Sequence, residues 1–232
     1  MTCAVLQAGI AQVMLIRDPN ESAGRSGDPE KEGIMELRSD AAFFGITIPI
    51  DDFAALALQH SQLYIDTSGV ESEGGDLVAA DFPDDACADF VRSVCRWGGY
   101  SGVGGRVIKN STPTAISTAL RAANGVLQAE SPDPESALRF VNGLKGLGTP
   151  SFASKHLRFL APRVCPVFDD YLRVVLPYSF GPRGYSAFAA DCSVLASALT
   201  SRGAANPWAG RDGEWYAADV EAAIFQWARS HR

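Results

Sequence analysis

The chain has 232 residues, 47% of them apolar and 20% charged, and a mean hydropathy of zero. This is the balance of an ordinary globular protein with enough length for a substantial core, and no apolar run approaches the roughly 20 residues of a membrane span. The net charge is −7, and the three histidines and five cysteines (Cys3, Cys87, Cys95, Cys165, Cys192) are scattered, without a C-x-x-C pair. That argues against a disulfide framework, a zinc site or a metalloenzyme, and it predicts reduced, buried thiols in a cytoplasmic protein with neither metal nor cofactor.

Residues 3–16 are apolar, but no basic segment precedes them and Arg17 and Asp18 follow, so a signal peptide is not expected. Residues 18–33, DPNESAGRSGDPEKEG, read as a mobile polar loop. FFGITIPI and QLYIDT are short strands, or a strand and a helix, whereas DDFAALALQHSQL between them has acids at its start and helical apolar spacing. Pro83, Asp84, Asp85 and Asp89 introduce a helix with Phe90, Val91, Val94 and Cys95 on one stripe. GGYSGVGG reads as a glycine-rich turn that breaks it; it lacks the spacing of a dinucleotide fingerprint. STPTAISTALRAANGVLQ resumes helical order with Ile116, Leu120 and Ala123 on a face. SPDPESALRFVNGL is opened by Ser131 or Asp133 as cap, with Pro134 near the first turn. Residues 144–173 add two helices, and FAADCSVLASAL and EWYAADVEAAIFQWARS add two more. The prediction is a mainly α protein of seven or eight helices: a helical body over 81–232, with residues 1–80 a less regular segment, open to mixed α/β structure, packed on it.

Charge is segregated along this pattern. Residues 92–163 hold ten Lys and Arg against three acids, so this stretch carries +7 and the remainder −14. Such asymmetry points to a polyanion-facing surface, with chance segregation onto a solvated face as the alternative. Within it, residues 144–173 (LKGLGTPSFASKHLRFLAPRVCPVFDDYLR) read as helix, tight turn, helix. Gly146 and Gly148 allow the turn, Thr149 can cap the next helix and Pro150 suits its first position. A hairpin at 135–160 that presents free amides and a helix N-terminus is prepared to hold an anion such as a DNA phosphate, with Lys145 and Thr149 alongside.

LKGLG, a short helix and then PVFDDYLR together resemble the helix-hairpin-helix DNA glycosylase superfamily. RWGGYSGVGGRV, ASKHLRFLAP and PVFDD further resemble its bacterial branch with an 8-oxoguanine-glycosylase-like fold, over residues 85–230. The resemblance implies that Gly146 and Gly148 are the hairpin glycines and that Leu144 and Leu147 pack beneath them. It implies that Asp169 is the catalytic aspartate, with Asp170 the competing choice. In bifunctional members a lysine stands two places after the second hairpin glycine. Pro150 occupies that place here, which implies base excision without strand cleavage. Lys155 is the nearby substitute amine; on an ideal helix it lies about 200° from Leu157, pointing away from the packed face into solvent or a cleft.

The implied activity is hydrolysis of the N-glycosidic bond of a flipped-out modified base, leaving an abasic site. The base would be an oxidised purine, or a hypermodified phage base removed in antiviral defence. Asp169 would stabilise positive charge on the sugar, or merely cap a helix opening at 169–171. Trp97, Tyr100, Phe168 and Tyr171 are candidates to enclose the base, with Trp215 and Trp227 behind them. Arg106, Lys109 and Asn110 are candidates for phosphate contact or for filling the vacated stack. The alternative is a non-catalytic helix-hairpin-helix module that grips DNA backbone, with no membrane and no protein partner implied by either reading.

Overall fold

The computed structural model describes residues 40–43 and 46–231, so the readings for residues 3–16 and 18–33, and Cys3, lie outside the described residues. β1 (Asp40–Phe43) and β2 (Ile46–Pro49) form an antiparallel ribbon with Asp40 opposite Pro49 and Phe43 opposite Ile46. Ile46 and Ile48 are both buried, as the two-residue period of a strand requires for one covered face. α1 (Ile50–Leu63) and α2 (Thr67–Ala79) follow, so QLYIDT is the end of one helix and the start of the next, not a strand. The remaining elements are α3 (Asp84–Trp97), α4 (Ser101–Asn110), α5 (Pro113–Leu127), α6 (Pro134–Asn142), α7 (Pro150–Leu160), α8 (Leu172–Val175), α9 (Pro182–Ser201) and α10 (Ala217–Ser230). The mainly helical character is as expected, with ten helices among the described residues.

The predicted stripes are the buried ones: Phe90, Val91, Val94 and Cys95 on α3, and Ile116, Leu120 and Ala123 on α5. Thr112 caps α5 by accepting the Ala115 N–H at 3.1 Å, and Asp133, not Ser131, caps α6 by accepting that of Ser136 at 3.0 Å. Two helices depart from the sequence reading. α2, TSGVESEGGDLVA, forms despite its glycines because Val70, Gly74 and Leu77 share a buried face, and a Cβ at Gly74 would collide with the Phe159 carbonyl of α7. The stretch GGYSGVGG is a turn only at its start. Gly99 takes a φ of +78°, and the amides of Gly99 and Tyr100 bond back to the carbonyls of Arg96 and Cys95 at 3.0 and 2.8 Å. This is a glycine-terminated helix end. From Ser101 the chain is helical again, with Gly104 packed against Cys95.

α7 lies at the centre, against α2, α3, α5 and α6, while α10 packs on α1 and α9. Ser151 and every residue from Ala153 to Leu160 are buried, including Lys155 and Arg158. Arg158, counted in the sequence as part of a polyanion-facing surface, is instead a core residue with its side chain 1% exposed. A guanidinium there needs a counter-charge. Its Nη1 lies 2.6 Å from Glu71 Oε1 of α2; Glu71 also accepts from Arg211 at 2.8 Å, and Arg211 Nε reaches Asp219 of α10 at 3.0 Å. This alternating chain of two cations and two anions ties α2, α7 and α10 together. Among the described residues the ribbon, α1 and α2 fall in the same compact unit as the helices after residue 80.

Removing one anion from this chain strands a buried cation. Glu71→Ala is expected to destabilise the fold by roughly 3–5 kcal/mol, measured by urea denaturation, far more than an exposed pair such as Arg139–Glu135, whose loss costs about 0.5 kcal/mol or less.

Candidate functional site

Five helices (α1, α3, α7, α8 and α10) and three connections surround a cavity of about 510 Å³, within the range of about 300–1,000 Å³ for small-molecule sites. α7 supplies Ser151, Phe152 and Lys155; α10 supplies Glu221 and Phe225; α1 and the link after it supply His60 and Tyr64. The end of α3 and the turn beyond give Trp97, Gly98 and Tyr100, and the segment leading into α8 gives Asp169 and Tyr171. The walls are aromatic. Tyr64 stacks on His60 at 4.6 Å between ring centres and lies 5.2 Å from Trp97, while Tyr171 lies 5.4 Å from Phe225. Trp97 is oriented by its indole N–H, which donates to Thr67 Oγ1 at 2.9 Å. Tyr100 stands at the mouth, 55% exposed, edge-on to Phe152.

The ionisable groups meet on one side of this cavity. Lys155 Nζ lies 3.8 Å from Asp169 Oδ2 and donates to Ser151 Oγ at 3.1 Å. Its methylenes run against Gly98, where an added Cβ would stand 3.1 Å from Cδ. Burial pulls the ammonium below its ordinary pKa, against the opposing attraction of Asp169 and Glu221. Asp169 divides its oxygens between two tasks. Oδ1 accepts the amides of Tyr171 and Leu172 at 3.0 and 3.1 Å, capping α8, and Oδ2 faces Lys155. The capping and cavity-facing readings of Asp169 therefore hold together. Asp170, its neighbour, is exposed and pairs with Arg173 at 2.9 Å.

Glu221 is the third member, and the sequence reading missed it. It is 3% exposed, accepts the Val167 N–H at 3.4 Å, and its carboxyl is pushed up to about 8, first by burial and then by the Asp169 charge. At neutral pH it is a protonated acid. His60 is neutral too: burial, Arg158 and Arg229 hold its imidazole down to about 3. One signal for Glu221 was legible, a lone acid inside the apolar run VEAAIF, four residues before Phe225 on the same helical face.

Of the predicted base-enclosing residues, Trp97, Tyr100 and Tyr171 line the cavity. Phe168 does not: it is fully buried on the opposite side of its strand-like segment, among Tyr178, Phe180 and Phe188. Pointing a residue out of Pro-Val-Phe-Asp into the cavity sends its neighbour into the core. Trp215 is also core, its indole donating to the Ala204 carbonyl at 2.9 Å, and Trp227 stacks on His231.

The hairpin forms as read. Leu144 and Leu147 are buried, and Gly146 and Gly148 take φ values of +94° and +96°. The amides of Gly146, Gly148 and Thr149 bond to no described residue. Thr149 holds the N-cap position without a side-chain cap bond, and its Oγ1 is enclosed without a hydrogen-bond partner among the described residues. Gly146 sits on the backbone of Arg106, and Ser111 Oγ donates to the Lys145 carbonyl at 3.4 Å, which docks the turn on the end of α4. Arg106, Lys109 and Lys145 are exposed there, with no ion pair to a described residue; Asn110 donates to the Arg106 carbonyl at 2.7 Å. The basic surface is thus narrower than the charge count implied, because Arg92, Arg121, Arg139 and Arg163 are paired at the surface and Lys155 and Arg158 point inward.

No family model, curated protein or solved structure matches this chain.

The two hairpin glycines should respond differently to a methyl group. Gly146→Ala meets the Arg106 backbone at 2.9 Å besides the strain of positive φ, and is expected to cost roughly 2–4 kcal/mol. Gly148→Ala has open space and should cost about 1–2 kcal/mol, from strain alone. Thermal melts of the two variants check this.

Glu221 gives a pH signature in stability. Its proton is held to about 8 in the folded chain but released near 4.5 when exposed, so the buried acid weakens the fold progressively as pH rises from 4.5 to 8. Glu221→Gln removes that penalty. Its melting temperature relative to the unsubstituted protein should rise over this interval and level off above it, as followed by calorimetry across pH.

Proposed function

We propose that the chain is a DNA N-glycosylase that extrudes a modified base into the aromatic-walled cavity and breaks its glycosidic bond. The observation that carries this reading is the meeting of Lys155 and Asp169, 3.8 Å apart, inside a cavity whose central helix is also the second helix of a glycine hairpin. The hairpin amides and the Arg106, Lys109 and Lys145 cluster offer phosphate contacts, which are not base-specific. The aromatic rings offer stacking faces for a base that has left the duplex.

Departure of the base builds positive charge on the deoxyribose, which the Asp169 carboxylate stabilises from close range. Lys155 supports a nucleophilic role better than its position in the sequence suggested. Burial favours its free amine, the form that attacks carbon, and Asp169 Oδ2 is the nearby acceptor for the proton released when Nζ bonds C1′. In this mechanism the amine absent at Pro150 is supplied from about 1.4 turns further along α7. The imine that follows ring opening permits cleavage of the strand. The substrate class is a base with a chemically altered ring or edge, an oxidised purine or a hypermodified phage base, admitted between Tyr64, Trp97 and Phe225.

The test is incubation with duplexes carrying 8-oxoguanine, alkylated, deaminated or glucosylated bases, with borohydride to trap the imine. A covalent adduct is expected, lost in Lys155→Ala, and base release slowed roughly 10²–10⁴-fold in Asp169→Asn. Salt-dependent DNA binding without base release from any duplex would assign the chain to the non-catalytic hairpin class. Release that survives Lys155→Ala with no adduct would leave water as the nucleophile.

A further inference from the structure

Besides Asp169 and the exposed Asp170, the cavity holds a third, enclosed carboxyl. Glu221 projects from α10 toward Asp169 and Lys155, and the two carboxyls differ in environment. Asp169 is 19% exposed in its side chain and takes two backbone amides on Oδ1. Glu221 is enclosed and takes one long bond from Val167 at 3.4 Å. Pairs of carboxyls in unlike surroundings divide acid and base roles between them, the solvated and hydrogen-bonded member staying ionised.

We propose that Glu221 is the acid that protonates the departing base. This rests on the glycosylase reading of the same site. As the C1′–N bond breaks, its electron pair stays on the base. The Glu221 O–H proton passes to a ring nitrogen or carbonyl oxygen of that base, so a neutral molecule leaves. C1′ is taken by Lys155 Nζ, whose proton goes to Asp169. Glu221 is left as a carboxylate and regains a proton from solvent once the base has gone. No other reactant is needed.

The groups facing Glu221 agree with this part. Asp169 favours its neutral form, Lys155 and Arg158 on α7 oppose that, and Tyr64, Tyr185 and Cys192 are uncharged neighbours near neutral pH. Burial outweighs the two cations, so the acid keeps its proton up to about 8. Lys155 needs to be deprotonated and Glu221 protonated, which makes base release rise and then fall with pH.

The experiment is single-turnover base release from whichever duplex of the panel above the unsubstituted protein cleaves, measured from pH 5.5 to 9.5, for that protein, Glu221→Gln and Glu221→Asp. Expected are an alkaline fall centred near pH 8, a loss of roughly 10²–10⁴-fold at pH 7 in Glu221→Gln with that alkaline limb gone and duplex affinity retained, and partial recovery in Glu221→Asp. Glu221→Gln within threefold of the unsubstituted rate, or an alkaline limb unchanged in it, overturns the acid role while leaving the glycosylase reading intact. If Glu221→Gln does not fold, the unsubstituted protein decides: a rate flat through pH 9.5 overturns the proposal. No release from any duplex overturns the glycosylase reading, and this inference with it.

Discussion

The structure depends on the need to compensate two cations that a central helix carries into the interior. α7 is enclosed on almost every side, yet Lys155 and Arg158 lie on it three residues apart. Moving a charge out of water costs several kcal/mol even after relaxation, so each must be met by an anion from elsewhere in the chain. Arg158 is met by Glu71, which is shared with Arg211 and through it with Asp219. Lys155 is met by Asp169. Segments far apart in sequence are brought to α7 by this requirement.

The two cations are treated differently, and the difference separates scaffold from site. The planar guanidinium of Arg158 is held by one short bond to Glu71 in a closed region and flanked by the rings of Trp97, Phe159 and Trp208. The ammonium of Lys155 has a looser partner at 3.8 Å and opens on a cavity. A guanidinium keeps its proton under nearly all conditions, whereas a desolvated amine gives it up. The first arrangement suits structure, the second chemistry.

The hairpin and the cavity share this frame. Gly146 docks the turn on α4, the turn that precedes α4 brings Gly98 against the Lys155 methylenes, and Lys155 stands on the helix that the hairpin opens. The turn therefore stands at a fixed distance from the amine and from Asp169. Within the cavity the aspartate's cap on α8 fixes its side chain with one oxygen while leaving the other toward the amine. Fixing a charged group in advance is what makes it effective when charge develops on the substrate.

Local pattern sufficed wherever a decision depends on neighbours in the chain. The stripes of α3 and α5, a cap at Ser131 or Asp133 and the hairpin glycines were legible from spacing and residue type, whereas Asp169 was singled out only by the family resemblance. What remained hidden depended on contacts between distant segments. α2 and α4 are glycine-rich and form helices because glycine lets them press against α7 and α3, a gain that propensity does not register. Whether a basic residue faces solvent or the core, as with Arg158, is decided by an acid 87 positions away. Glu221 acquires its proton only because α10 folds it beneath Asp169, since burial and a neighbouring like charge exist only once the chain is packed.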